Sequence, residues 1–248
     1  MQIAFTKKAG CSLSQFRRLT ILLNLFLYAS TFACTRTHGG TALEQTSPSS
    51  LDANLTFACT LKEEQNRLAV TYTVGNHGAI DVGVFNRIES AEPNGALKYP
   101  SNLVYVDLED STLRVRKMVL PIPFGLTMTV RPVPYVTRVG PQQSFTEEFS
   151  LEAPIAAYDP LTRAALAGAN PGADVVANRP EQARRLIFSV GVFRSDPGFR
   201  FIPVSHQDPD IYRVWPPGPP VDRQQVLSKE FVLATPITVL DYRAVPRR

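Results

Sequence analysis

Residues 68–84 read LAVTYTVGNHGAIDVGV, and the fold follows from the period of this stretch. Leu68, Val70, Tyr72 and Val74 alternate with Ala69, Thr71 and Thr73. Ile80, Val82 and Val84 then alternate with Asp81 and Gly83. Apolar residues at every second position describe a strand with one buried and one more open face, not a helix. Gly75, Asn76, His77 and Gly78 separate the two runs. Gly and Asn accept positive φ at little cost, so these residues are expected to form a hairpin turn.

Working outward, the same period recurs. Residues 55–61 (LTFACTL) form a strand before the polar turn 62–66, so three antiparallel strands in succession are expected at the start. Residues 103–108 (LVYVDL) turn at Glu109, Asp110 and Ser111 into 113–120 (LRVRKMVL), where Leu113, Val115 and Val119 share a parity. Residues 126–130 (LTMTV) follow a proline-flanked segment. Phe145, Phe149 and Leu151 share the parity of Glu147. Residues 186–193 (LIFSVGVF) are continuously apolar, as in a strand covered on both faces. Residues 226–233 and 237–240 complete about nine or ten strands at sandwich-like spacing. One segment differs. Residues 159–169 (DPLTRAALAGA) place Asp159 as an N-cap and Pro160 at the first helical position, and Asn170, Pro171 and Gly172 end that short helix.

Composition agrees with this reading. Hydrophobic residues make up 44% of the 248 and charged residues 19%, enough apolar material for a packed core. The 21 prolines disfavour a helical bundle and favour edges, turns and extended connectors, among them the loops 197–210 and 216–220. The expected architecture is an all-β, antiparallel β-sandwich over residues 55–248, with long Pro-rich loops and one short helix. The run 70–87 (VTYTVGNHGAIDVGVFNR) is similar to the second and third strands of bacterial immunoglobulin-like modules, which implies an immunoglobulin-like sandwich. The tryptophan typical of that fold is not matched: the only one, Trp215, falls in an expected loop.

The first 33 residues have a different character. Lys7, Lys8, Arg17 and Arg18 precede the apolar run 19–29 (LTILLNLFLYA), and small residues follow up to Cys34. Basic flank, apolar run and small-residue exit are the parts of a signal peptide, expected over residues 1–33. The net charge of +4 resides there, because the rest of the chain has 22 basic and 22 acidic residues. Charge therefore argues against nucleic acid as a partner. The tetrapeptide Thr31-Phe32-Ala33-Cys34 resembles the lipobox of bacterial lipoproteins, with Thr31 standing where that family prefers leucine. The resemblance implies a lipid on Cys34, a membrane partner through that lipid, and a place in the cell envelope. Cleavage by the ordinary signal peptidase at the same bond accounts for the same letters and implies a secreted chain. Residues 34–54, polar and rich in Gly and Ser, are expected to be a flexible linker.

Chemistry-bearing motifs are sparse. There is no G-x-S-x-G, H-E-x-x-H, P-loop or G-x-G-x-x-G, and no cofactor is implied. Cys59 shares the parity of Phe57 and Leu61 and is expected to face the core as a free thiol. His206, Asp208 and Asp210 stand at alternate positions of one loop, where an extended backbone would aim them to one side. They are the weak candidates for a metal site or for the machinery of an envelope hydrolase. Tyr212, Arg213 and Trp215, beside Pro216 and Pro217, are the stronger candidates, because exposed Tyr, Trp and Arg anchor interfaces. Pro132, Val133, Pro134 and Tyr135 are expected to mark a strand passing between sheets. The function expected from these features is non-enzymatic: an exported envelope protein that binds an envelope protein or a glycan, or serves a structural role.

Overall fold

The computed structural model describes residues 53–128, 131–205, 209–216 and 218–246. The signal peptide expected over residues 1–33, Cys34 and most of the expected linker lie outside the described residues. In chain order the elements begin with β1 (Leu55–Glu64), β2 (Arg67–Asn76), β3 (Val82–Arg87) and the short pair β4 (Ser90–Ala91) and β5 (Leu97–Lys98). There follow β6 (Tyr105–Glu109), β7 (Thr112–Lys117), β8 (Tyr135–Val139), β9 (Gln143–Glu152), β10 (Ile155–Ala156) and helix α1 (Pro160–Ala169). The chain continues through β11 (Ala173–Arg194), β12 (Arg200–Pro203), β13 (Tyr212–Trp215), the short helix α2 (Gly218–Asp222) and β14 (Gln225–Pro246).

The strands form an all-β sandwich. One sheet has the order β1-β2-β9, antiparallel throughout. The other is built on the long antiparallel pair β11-β14 and runs through β3 and β8 to β13 and β12. The alternation read from the sequence explains why the sheets close on each other. Val70, Tyr72 and Val74 of β2 and Phe149 and Leu151 of β9 face Val82, Val84, Leu113, Val115, Phe188, Val190 and Val192 in one buried cluster. Residues 188–193 are buried without interruption, as their apolar run implies. A second cluster, Phe85, Val119, Val136, Phe193 and Val214, lies on the outer face of the larger sheet. Phe57, Cys59 and Leu61 pack against the first cluster, and Cys59, which has no disulfide partner among the described residues, is a thiol whose pKa burial pushes up to about 12.

The helix starts as its sequence dictates. The Asp159 carboxylate accepts the Leu161 and Thr162 N–H groups at 2.8 and 3.0 Å, and Pro160 needs no partner there. Asp110 and Ser111, both at positive φ (48° and 62°), make the tight turn between β6 and β7.

The expected hairpin at 75–78 is a crossover instead. β2 pairs with β1 and β9, while β3 belongs to the other sheet. β9 takes the edge of β2 that a hairpin would use, and Asn76, 1% exposed, fixes the crossing: its amide donates to the Ile80, Val139 and Gly140 carbonyls at 2.8, 3.0 and 3.0 Å. That clamp turns the chain between layers, and Ile80 is left outside the strand. Trp215 lies in β13, not in a loop, because Phe201 and Val214 pair across β12-β13 and anchor that ribbon near Phe193. Residues 126–128 form no strand; Leu126 and Met128 pack beside Ile88, Tyr105 and Leu120. Val119 is buried beyond the end of β7, where the Gln224 side chain pairs its N–H at 2.7 Å and its carbonyl at 3.1 Å.

Candidate functional site

A cleft of about 520 Å³ opens where β13, β8 and the start of α1 come together. One wall is the segment 131–134, whose two prolines hold it extended without occupying backbone donors. Tyr105 of β6, Tyr158 and Pro160 also line the cleft. The Tyr105 and Tyr158 rings stack with centroids 6.1 Å apart. Ile88 and Phe85 close the bottom.

Polar groups in the cleft are fixed by one another. Tyr135 Oη donates to Glu89 Oε2 at 2.6 Å, and Arg213 Nη2 donates to Tyr135 Oη at 3.3 Å. The Arg213 guanidinium lies 5.7 Å from the centre of the Tyr135 ring. The hydrogen bond to Tyr135 holds Arg213 charged, its pKa raised. Tyr99 meets Tyr135 edge-on at 4.6 Å, and burial, then the Tyr135 hydroxyl, push its phenol up to about 12. Arg131 spends its Nε and Nη2 on the Leu120 carbonyl, at 3.1 and 2.6 Å. The result is a preformed, mostly apolar recess with two oriented guanidinium groups, Arg131 and Arg213, and one oriented carboxylate, Glu89.

The sequence-derived candidates are distributed by strand alternation. Arg213 and Trp215 share the outward face of β13: Arg213 lines the cleft, and Trp215 is 57% exposed. Tyr212 turns the other way and packs edge-on against Phe201 at 5.8 Å. With Asp210, Tyr212 also borders a second recess beside the Arg138–Asp81 ion pair. His206 and Asp208 lie outside the described residues. Residues 132–135 mark no change of sheet, because β7 before them and β8 after them belong to the same sheet; Tyr135 instead joins the cleft. Glu89, Tyr99 and Tyr158 were not legible as site residues, because each sits in an irregular connector where parity gives no direction.

A second polar cluster lies inside the sandwich. Lys117, at the end of β7, has no exposed side-chain surface. Its Nζ donates to Glu147 Oε2 at 2.5 Å, to the Ser101 carbonyl at 2.6 Å and to the Asn86 main-chain carbonyl at 3.3 Å. Glu147, from β9 of the opposite sheet, also accepts the Tyr72 hydroxyl on Oε2 at 2.7 Å and pairs through Oε1 with Arg87. The Phe149 ring lies 4.8 Å from Nζ. Burial, then the nearby Arg87 charge, lower the Lys117 pKa well below the ordinary lysine range. Among the described residues, neither polar atom of the fully buried Asn86 side chain has a hydrogen-bond partner. The sequence holds a signal for this cluster: Lys117 and Glu147 stand at core-facing parity, with Leu113 and Val115 and with Phe145 and Phe149.

No family model matches the chain, and no curated protein or solved structure matches it either.

Proposed function

We propose that this chain is an exported cell-envelope protein, held at a membrane by a lipid on Cys34, whose sandwich binds a polypeptide or glycan of the envelope. The observation that carries the binding role is the cleft at Tyr135 and Arg213. Its volume of about 520 Å³ suits a sugar ring or a few side chains. Its walls are proline and tyrosine, so little conformational freedom is lost when a ligand enters. Arg213 is held in place before binding, and Trp215 on the same strand face extends the contact area with an aromatic anchor. The basic and apolar leader and the polar segment 34–54 support export and a tether.

One experiment addresses both parts. The tagged full-length protein is expressed in a bacterium, fractionated, and its amino-terminal peptide weighed. Affinity capture on envelope extract and purified cell-wall glycan follows. The expected protein sediments with membranes and begins at a diacylated Cys34, and Cys34→Ser releases it. Arg213→Ala is expected to weaken capture about tenfold with the fold intact. An unmodified, soluble mature chain would refute the anchor. Capture unchanged by both Arg213→Ala and Trp215→Ala would refute the cleft as the binding surface.

A further inference from the structure

We propose that Lys117 and Asn86 become joined by an isopeptide bond inside the sandwich, with Glu147 moving the protons. The topology brings the pair together. β11 gives one edge to β7 over Arg185–Val190 and then to β3 from Gly191 onward. Lys117 is the residue opposite Val190. Phe85 is opposite Gly191, so the antiparallel register of β3, continued by one residue, brings Asn86 to the same level. The ends of the two strands thus meet; Lys117 keeps the inward parity of Val115, and Asn86, the extra residue of a bulge between Phe85 and Arg87, is fully buried beside Tyr72. The Lys117 amine is already within 3.3 Å of the Asn86 backbone.

The surroundings match what such a bond requires. An amine attacks a carboxamide only as the free base, and the carboxamide nitrogen leaves poorly unless it is protonated. Glu147 sits 2.5 Å from Nζ, close enough to take the Lys117 proton. Burial and the Arg87 charge press the same amine toward neutrality. Asn86 supplies the electrophile, and its carboxamide is next to the Tyr72 hydroxyl that shares Glu147 Oε2. The buried carboxamide approaches the Tyr72 hydroxyl yet completes no hydrogen bond of regular geometry among the described residues, which makes it costly where it stands. Phe149 and Tyr72 cover the amine and keep water from competing with it.

The step balances without oxidant or cofactor. The Lys117 ammonium gives a proton to the Glu147 carboxylate, and the Nζ lone pair attacks Asn86 Cγ. Glu147 returns its proton to Nδ2 while the attacking nitrogen loses one, the Cγ–Nδ2 bond breaks, and ammonia departs as ammonium. An amide between Nζ and Cγ remains, and the chain is lighter by one ammonia. Glu147 ends as the carboxylate it began as.

Proteolytic mapping of the purified full-length protein by mass spectrometry tests this. The expected product is a branched peptide joining the Asn86 and Lys117 segments, lighter by one ammonia than the two linear peptides together, with no tryptic cleavage after Lys117. Linear peptides bearing unmodified Lys117 and either Asn86 or its deamidated form would overturn the proposal. This digest of the unaltered chain decides the bond whether or not any variant folds. Glu147→Gln, which keeps the shape but cannot cycle a proton, is expected to return both peptides to linear form. A complete branched product from that variant would overturn the part given to Glu147.

Discussion

At the scale of single residues, Asp159 shows how one side chain serves two structures. It caps α1, and its Oδ2 accepts Arg116 Nη2 at 2.8 Å. The same guanidinium reaches Asp107 at 2.6 Å, while burial pushes the Asp107 carboxyl up against the pull of Arg116. The Asp159 N–H in turn donates to the Tyr242 hydroxyl at 2.8 Å. Asp159→Ala removes a cap and leaves Arg116 half-paired in a buried setting, with an expected loss of about 3–5 kcal/mol by denaturant unfolding. Asp159→Asn keeps the capping oxygen, so a smaller loss is expected. Equal losses for the two variants would show that charge alone matters there. The cap was legible in the sequence because Asp-Pro before an apolar turn has a mechanism. The partnership with Arg116 was not, because an ion pair between residues 43 apart leaves no local trace.

At the scale of elements, period two located most strands but not their neighbours. Residues 70–74 and 82–84 have the expected parity, yet they belong to different sheets. A turn rich in Gly and Asn is equally suited to a hairpin and to a crossover; what decides is the third strand competing for the same edge, here β9. The same limit explains β11 and β14, whose register covers far more chain than their apolar stretches announced. The close approach of β3 to β11 depends on Gly83, where any Cβ would collide with the Phe193 ring. That ring is locked between Phe85 and Phe201, with centroids 5.1 and 6.2 Å away, and cannot swing aside. Gly83→Ala is therefore expected to cost about 1–3 kcal/mol, read as a lower urea midpoint with an unchanged slope. A neutral result would mean that β3 slides on its neighbour.

At the scale of the whole molecule, the two polar sites differ in how far sequence reached them. Arg213 and Trp215 stood out by residue type, whereas the cleft that Arg213 lines needed the connectors at 88–89, 131–134 and 158 to be placed. The Lys117 cluster has the opposite character: parity pointed inward, and only the crossing of sheets showed that Glu147 and Lys117 meet. Its effect on stability has a defined sign. In Asn86→Ala, where no bond can form, Lys117 stays a titrating amine facing Glu147, Arg87 and Tyr72. Its folded pKa lies below its unfolded value, so the unfolded chain binds more protons and stability should rise from about pH 7 to 9 relative to the unaltered protein. The raised pKa of Cys59 acts the other way in both proteins and cancels in the difference between urea midpoints. Parallel curves for the two proteins would contradict a titrating Lys117. The meeting of β3 and β7 beside Val190 has one more consequence. An amide there closes residues 86–117 into a ring that no reductant opens, stabilising the fold by about 3–4 kcal/mol through loop closure. Pulled by its ends, the chain could never reach its full contour length; the 31 residue steps between Asn86 and Lys117, less the span of the linked side chains, would withhold about 100 Å, even after every strand had come apart.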